Sequence, residues 1–219
     1  MNLVTETDDN QIVTYLTEVI SNRLAEEISV LWLVPGGSAM EPATKVLQNL
    51  EDVDTSLLCI TLTDERYGRP DHEHENWAQL ARLGFTVNSI NAYRVLRGET
   101  IETTAQDFSD KLQQLYATYE YKIGLFGIGT DGHTAGIKPH SIAATDEDLA
   151  VYYTGEDYER VTMTPHAIRK LDEVVAYAHG EEKFSTIQKL LHENIPVEEQ
   201  PAQCLKWVEH ATLFSDYSE

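Results

Sequence analysis

The sequence predicts a doubly wound α/β fold, a mostly parallel β-sheet with helices on both faces. Three observations carry this. Apolar runs of strand length, Val30-Leu31-Trp32-Leu33-Val34 and Leu57-Leu58-Cys59-Ile60-Thr61-Leu62, lack the polar alternation of a half-exposed strand and read as strands covered on both sides. Stretches with apolar side chains at helical spacing alternate with these runs. The runs end in glycine or in charge, at the strand ends where open α/β sheets bind ligands.

Residues 9–28 place Ile12, Val13, Leu16, Val19, Ile20 and Leu24 on one face of a helix. The strand at 30–34 runs into Pro35-Gly36-Gly37-Ser38, and a helix follows over 41–50. The second strand, 57–62, leads to Asp64-Glu65-Arg66. An amphipathic helix over 102–120 feeds a strand at 123–128, which opens into Gly127-Ile128-Gly129-Thr130-Asp131-Gly132-His133-Thr134-Ala135. Beyond His140 the rhythm changes. Short strands are expected at 151–153, 160–163 and 174–177, then a helix over 181–192 and a last short strand within 204–214. The arrangement is Rossmann-like, with a smaller C-terminal strand and helix extension. No linker composition separates that part, so residues 1–219 are expected to form a single domain.

With 42% hydrophobic residues the chain has material for a substantial interior, and 24% charged residues is ordinary for a soluble enzyme. The first ten residues are polar and acidic and lack the basic start and apolar core of a signal peptide; no later run approaches a membrane span. Two cysteines far apart, Cys59 and Cys204, give neither a disulfide framework nor metal-ligand spacing, which fits a cytoplasmic protein with core thiols. Sixteen basic residues against 37 acidic ones leave a formal charge of −21, which excludes nucleic acid and anionic lipid surfaces as partners. An anionic substrate would need the few cations gathered in one cleft.

Three strand ends carry unusual residues. Gly36-Gly37-Ser38 can present backbone N–H groups and a hydroxyl to an anion at a helix start, or can be a tight turn with Ser38 as helix cap; G-x-G-x-x-G spacing is absent. Arg66, after Asp64 and Glu65, can bind phosphate or carboxylate through its fork, or the three can form a solvated ion-pair cluster. His72 and His74 lie in an acidic loop and are read as hydrated, not as metal ligands. In Asp131-Gly132-His133 an imidazole able to deprotonate water stands near a carboxylate able to fix its tautomer; either Asp131 or Asp64 fits that second role.

Taken together, these motifs resemble the 6-phosphogluconolactonases: Gly-Gly-Ser, Asp-Glu-Arg, Gly-x-Gly-x-Asp-Gly-His-Thr-Ala, then Glu159-Arg160-Val161-Thr162-Met163-Thr164 and Gly180-Glu181-Glu182-Lys183, in order over roughly residues 30–215. The resemblance implies hydrolysis of 6-phosphoglucono-δ-lactone to 6-phosphogluconate, without cofactor or metal. It implies His133 as general base, Asp131 as its support and Asp64 as a positioning group. Arg66, Arg160 and Lys183 would hold the phosphate, with donors from Gly37 and Ser38. The expected partner is a small sugar phosphate, and the expected state a monomer or weak homodimer.

The chain also departs from that family's pattern. D-G-H-T-A-S-L-F-P is here Asp131-Gly132-His133-Thr134-Ala135-Gly136-Ile137-Lys138-Pro139, with Lys138 read as facing solvent and a phosphate contact as the alternative. After Arg66, the expected V-P and later S-N are Tyr67-Gly68 and Glu75-Asn76. The competing readings are a glucosamine-6-phosphate deaminase/isomerase, which carries a glutamate where this chain has Lys138 and lacks the arginine after D-E, and a sugar-phosphate-binding protein without turnover.

Overall fold

A computed structural model describes residues 1–6, 8–87 and 90–218. In chain order the elements are β1 (Asn2–Thr5), α1 (Asn10–Ala25), β2 (Val30–Val34), α2 (Met40–Asn49), β3 (Leu58–Leu62), β4 (Asp64–Arg66), α3 (Asn76–Arg82), β5 (Asn91–Tyr93), α4 (Ile101–Thr118), β6 (Tyr121–Gly127), β7 (Ala150–Thr154), β8 (Glu159–Met163), α5 (Pro165–Ile168), β9 (Glu173–Ala178), α6 (Phe184–His192) and β10 (His210–Ser215). Seven strands form one sheet in the order β1-β10-β9-β6-β2-β3-β5, with every neighbouring pair parallel. Three form a small antiparallel sheet, β4-β8-β7.

The apolar runs become the middle of the large sheet. Every residue of β2 and of β3 is buried, which requires cover on both faces. Around them Trp32, Phe108 and Phe126 are the bulkiest fully buried side chains. Helix α1 contributes Ile12, Val13, Leu16, Ile20 and Leu24, the stripe its spacing predicts. It stops at Ala25, short of residue 28, because Glu27 takes a left-handed φ of 59° and Ile28 N–H turns back to the Arg23 carbonyl.

Chain order did not reveal the full sheet order. The segment at 174–177 and the C-terminal strand are not part of an appended extension: β9 pairs with β6 and β10 with β9, both inside the main sheet. Only the β7–β8 hairpin stands apart, and it captures Asp64–Arg66 as a third strand where the sequence shows only a charged strand end. The edge strands β1 and β5 and the helix α3 carry no apolar run and are additions to the sequence reading. The helix expected from 181 begins as a 3-10 turn over Glu181–Lys183 and becomes α-helical at Phe184.

Candidate active site

Strands β2 and β6 lie side by side in parallel register, Leu33 opposite Gly124. From β2 the chain winds outward through β3 to β5, then returns to start β6 and winds the other way through β9 and β10. The crevice between their carboxyl ends is the topological switch point of the sheet, where open α/β folds bind ligands. A cleft of about 240 Å³ lies there, lined by Gly37, Ser38, Asp64, Arg66, Asn76, Gly129, His133, Arg160 and Lys183, among others. Three strand ends of the large sheet, those of β2, β6 and β9, and two strands of the small sheet, β4 and β8, thus meet in one place.

The β2 end turns sharply through Gly37, whose φ of 69° suits glycine. Ser38 is exposed and makes no capping hydrogen bond to the turn or to α2, so it is not the helix cap that the simple-turn alternative requires. Gly36 lies against Asn76: a Cβ there would come within 2.6 Å of the amide.

The β6 end builds the imidazole site. Gly129 N–H donates to the His133 carbonyl and Gly132 N–H to that of Gly129, folding residues 129–133 into a tight loop. Thr186 Oγ1 donates to the Thr130 carbonyl at 2.6 Å and Ala202 N–H to that of Gly132 at 2.9 Å, tying the loop to α6 and the C-terminal segment. The His133 ring lies directly over Gly129, where a Cβ would sit 2.1 Å from Nδ1. Nδ1 is 2.5 Å from Asp131 Oδ1, and an N–H donating to a carboxylate leaves Nε2 as the basic nitrogen. Nε2 has no hydrogen-bond partner among the described residues. Asp131 itself does not line the cleft; it stands behind the ring. Burial raises the proton affinity of its carboxyl, but the hydrogen bond and charge of His133, the His133 N–H and Lys138 outweigh that and hold it well below the usual carboxylate range.

Asp64 faces the cleft from β4, 7% exposed, taking hydrogen bonds from Thr63 Oγ1 at 2.9 Å and Asn76 Nδ2 at 3.5 Å. Burial pushes its carboxyl pKa up, against Thr63, Arg160, Arg66 and His133. Among the described residues no hydrogen bond or salt bridge joins it to His133, so the carboxylate that orients the ring is Asp131. Glu65, one residue on, points away: it is fully buried and accepts N–H groups from Arg66, Asn76 and Trp77 at 2.6–3.1 Å. It satisfies the first N–H groups of α3 and takes no part in the cleft.

The cations converge. Arg66 and Arg160 are directly opposite in the antiparallel pairing of β4 and β8, an arrangement of like charges that costs stability in itself. Tyr158 relieves it, with its ring centroid 4.7 Å from the Arg66 guanidinium carbon and 5.6 Å from that of Arg160. Asp157 grips Arg160 with two hydrogen bonds, 2.6 and 2.9 Å. The Lys183 Nζ, in the turn after β9, has no hydrogen bond or salt bridge among the described residues, and burial draws its ammonium pKa down despite Glu182 and Asp216. In a chain of charge −21, such a gathering marks an anion site.

All eight site residues expected from sequence lie in or directly behind this cleft. Three were not expected. Asn76 lines it, and the Tyr158–Asp157 turn holds both arginines; neither has a periodicity or motif to announce it. Lys138, read as facing solvent, instead donates from Nζ to Asp131 Oδ2 at 3.1 Å. His74 pairs with Glu73 and His72 Nε2 meets the Arg66 carbonyl; among the described residues no cluster of side chains is arranged to hold a metal ion. No helix among them is long and apolar enough to cross a membrane.

Comparison with known proteins follows the same lines. A 6-phosphogluconolactonase of Helicobacter pylori is 29% identical over 142 residues, 63% of this chain, and the match spans 62% of that relative's length. The crystal structure of a 6-phosphogluconolactonase from Shewanella baltica superposes with a TM-score of 0.82 at 20% identity, covering 98% of this chain and 97% of that one. A monomeric glucosamine-6-phosphate deaminase superposes nearly as well, with a TM-score of 0.80 at 17% identity over 98% of this chain and 97% of that one, so the shared fold does not separate the two activities. The family model described as glucosamine-6-phosphate isomerases/6-phosphogluconolactonase matches residues 7–214, nearly the whole chain, and this protein belongs to that family.

Proposed function

We propose that this protein hydrolyses 6-phosphoglucono-δ-lactone to 6-phosphogluconate, in the cytoplasm and without metal or cofactor. The observation that carries the reading is His133, with Nδ1 bound to Asp131 and Nε2 unbonded, in a cleft that also holds Arg66, Arg160 and Lys183. Nε2 takes a proton from water as its oxygen attacks the lactone carbonyl. Asp131 stabilises the imidazolium that results. When the tetrahedral intermediate collapses and the bond from C1 to the ring oxygen breaks, the imidazolium returns its proton to that oxygen.

The phosphate dianion is suited to the Arg66–Arg160–Lys183 group, and Gly37 and Ser38 add donors from the first loop. Asp64 faces the cleft as a hydrogen-bonding partner for sugar hydroxyls. Two features favour hydrolysis over the deaminase/isomerase reading. Arg66 supplies a guanidinium beside the cleft, and the position after Ile137 holds a lysine engaged with Asp131 where the isomerases carry a glutamate.

The test is the disappearance of freshly generated lactone with and without the protein near neutral pH, measured against spontaneous hydrolysis. Acceleration of several orders of magnitude is expected. A rate equal to background, with turnover of glucosamine 6-phosphate, would replace this reading by the isomerase one. Inertness towards both, with retained affinity for 6-phosphogluconate, would make the protein a binder.

A further inference from the structure

Lys138 does not line the cleft, yet it is committed to the two groups that matter behind it. Its Nζ donates to Asp131 Oδ2 at 3.1 Å, while Oδ1 of the same carboxylate takes the His133 ring N–H at 2.5 Å. The carboxylate is thus divided, one oxygen to each donor. The backbone that delivers the lysine is firmly held: Ile137 is fully buried, Tyr153 OH donates to the Gly136 carbonyl at 2.6 Å, and Ser141 Oγ donates to the Lys138 carbonyl at 2.7 Å.

The ammonium also stands 3.4 Å from His133 Nδ1. Neither group can accept a hydrogen bond there, because an ammonium has only donors and Nδ1 already carries the proton given to Asp131. The approach is a cation beside an N–H dipole, and it becomes cation beside cation once the ring takes a second proton at Nε2. Coulomb repulsion opposes that step.

We infer that Lys138 is a positioning residue for His133, fixing Asp131 so that one oxygen faces Nδ1 and keeping Nε2 free of its proton to lower pH than the Asp131–His133 pair would alone. Other charges around the ring are Asp64 from β4, which favours the imidazolium, and Arg66, Arg160 and Lys183 from β4, β8 and the turn after β9, which oppose it. Lys138 differs from all of these in bonding to Asp131 itself. The catalytic consequence rests on the lactone-hydrolysing reading; the proton equilibrium does not.

Two unit charges about 4 Å apart in a near-aqueous dielectric shift a titration by roughly 0.7 pH unit. Lys138→Met keeps much of the side-chain length and removes the charge, whereas Lys138→Arg retains it. NMR titration of the His133 ring in the free, full-length protein, assigned by difference with His133→Gln, should show the midpoint rising by about half to one pH unit in the Met variant, with the Arg variant close to the parent. The acid limb of the kcat/KM profile should move upward by the same amount.

A midpoint unmoved in Lys138→Met overturns the inference, and so does a rate that falls equally at every pH with the limb unmoved. A midpoint that moves in a protein inactive on the lactone supports the Lys138 role and overturns the proposed function instead, so the two failures are distinguishable.

Discussion

Gly129→Ala puts a methyl group where the His133 ring now lies. The new Cβ would stand 2.1 Å from Nδ1, 2.2 Å from Cε1 and 2.8 Å from Asp131 Oδ1. Ordinary contact begins near 3.4 Å, so the ring must retreat by about 1.3 Å or rotate off Asp131. The backbone at 129 lies outside the left-handed region, so alanine is permitted there and its smaller unfolded-state entropy stabilises by about 0.4–1 kcal/mol. Against this stands the half-exposed His133–Asp131 pair, worth about 0.2–1 kcal/mol. The two nearly cancel, and global stability should change by less than about 1 kcal/mol.

Catalysis has no such offset. Displacing a general base by about 1 Å costs on the order of 100-fold. The assay is lactone hydrolysis under saturating substrate, paired with urea unfolding and with calorimetric binding of 6-phosphogluconate, which should persist because the cations are untouched. A Gly129→Ala enzyme with parental kcat would refute the claim that catalysis needs the ring in its present place over this glycine. A large loss of stability would refute the claim that the methyl group is absorbed locally.

Three further outcomes are expected. His133→Gln should lose about 10²–10⁴ in rate while still binding 6-phosphogluconate; an unchanged rate above background removes the ring from the chemistry. Glu65→Ala leaves three backbone N–H groups without their acceptor, that of Asn76 buried and those of Arg66 and Trp77 part-buried; the buried donor alone costs about 1–3 kcal/mol, so destabilisation of more than about 1 kcal/mol is expected in urea melts, and an unchanged melt contradicts the capping role. Asp131 is held below its ordinary value of 3.8, so below that value the unfolded chain binds the proton more readily than the folded one. Its stabilising contribution is therefore full above about pH 3.8 and fades as pH falls towards the folded value. The stability gap between the parent and Asp131→Asn should narrow on acidification, and a widening gap would show the sign to be wrong.

The motifs were legible because glycine, arginine and histidine at strand ends have few structural uses, and the residues they name meet in or directly behind one cleft. Arg66 and Arg160 stood in separate motifs, and Arg66 had an innocent explanation as part of a solvated ion-pair cluster. Only the β4–β8 register, with Tyr158 lying against both, brings them together as one pair at the cleft. The residues alone left both Asp64 and Asp131 open for orienting the imidazole, and only the resemblance pointed to Asp131, since sequence separation says nothing about which oxygen reaches Nδ1. The 2.5 Å contact decided for Asp131.

The doubly wound class and the central strands were legible in the residues alone, because burial on both faces demands unbroken apolar runs and helical amphipathicity is a local pattern. The motifs also singled out the eight residues that the fold gathers in or directly behind one cleft. The tertiary structure alone decided that β9 and β10 extend the main sheet, that Asp64–Arg66 leaves it for a hairpin, that Glu65 is a buried cap and that Lys138 bonds to Asp131. The strand pairings join distant segments and the two side-chain contacts join residues 7 and 11 positions apart; all are fixed by backbone hydrogen bonds or by the need to satisfy a buried or charged group, and none leaves a periodic trace in the residues that make it.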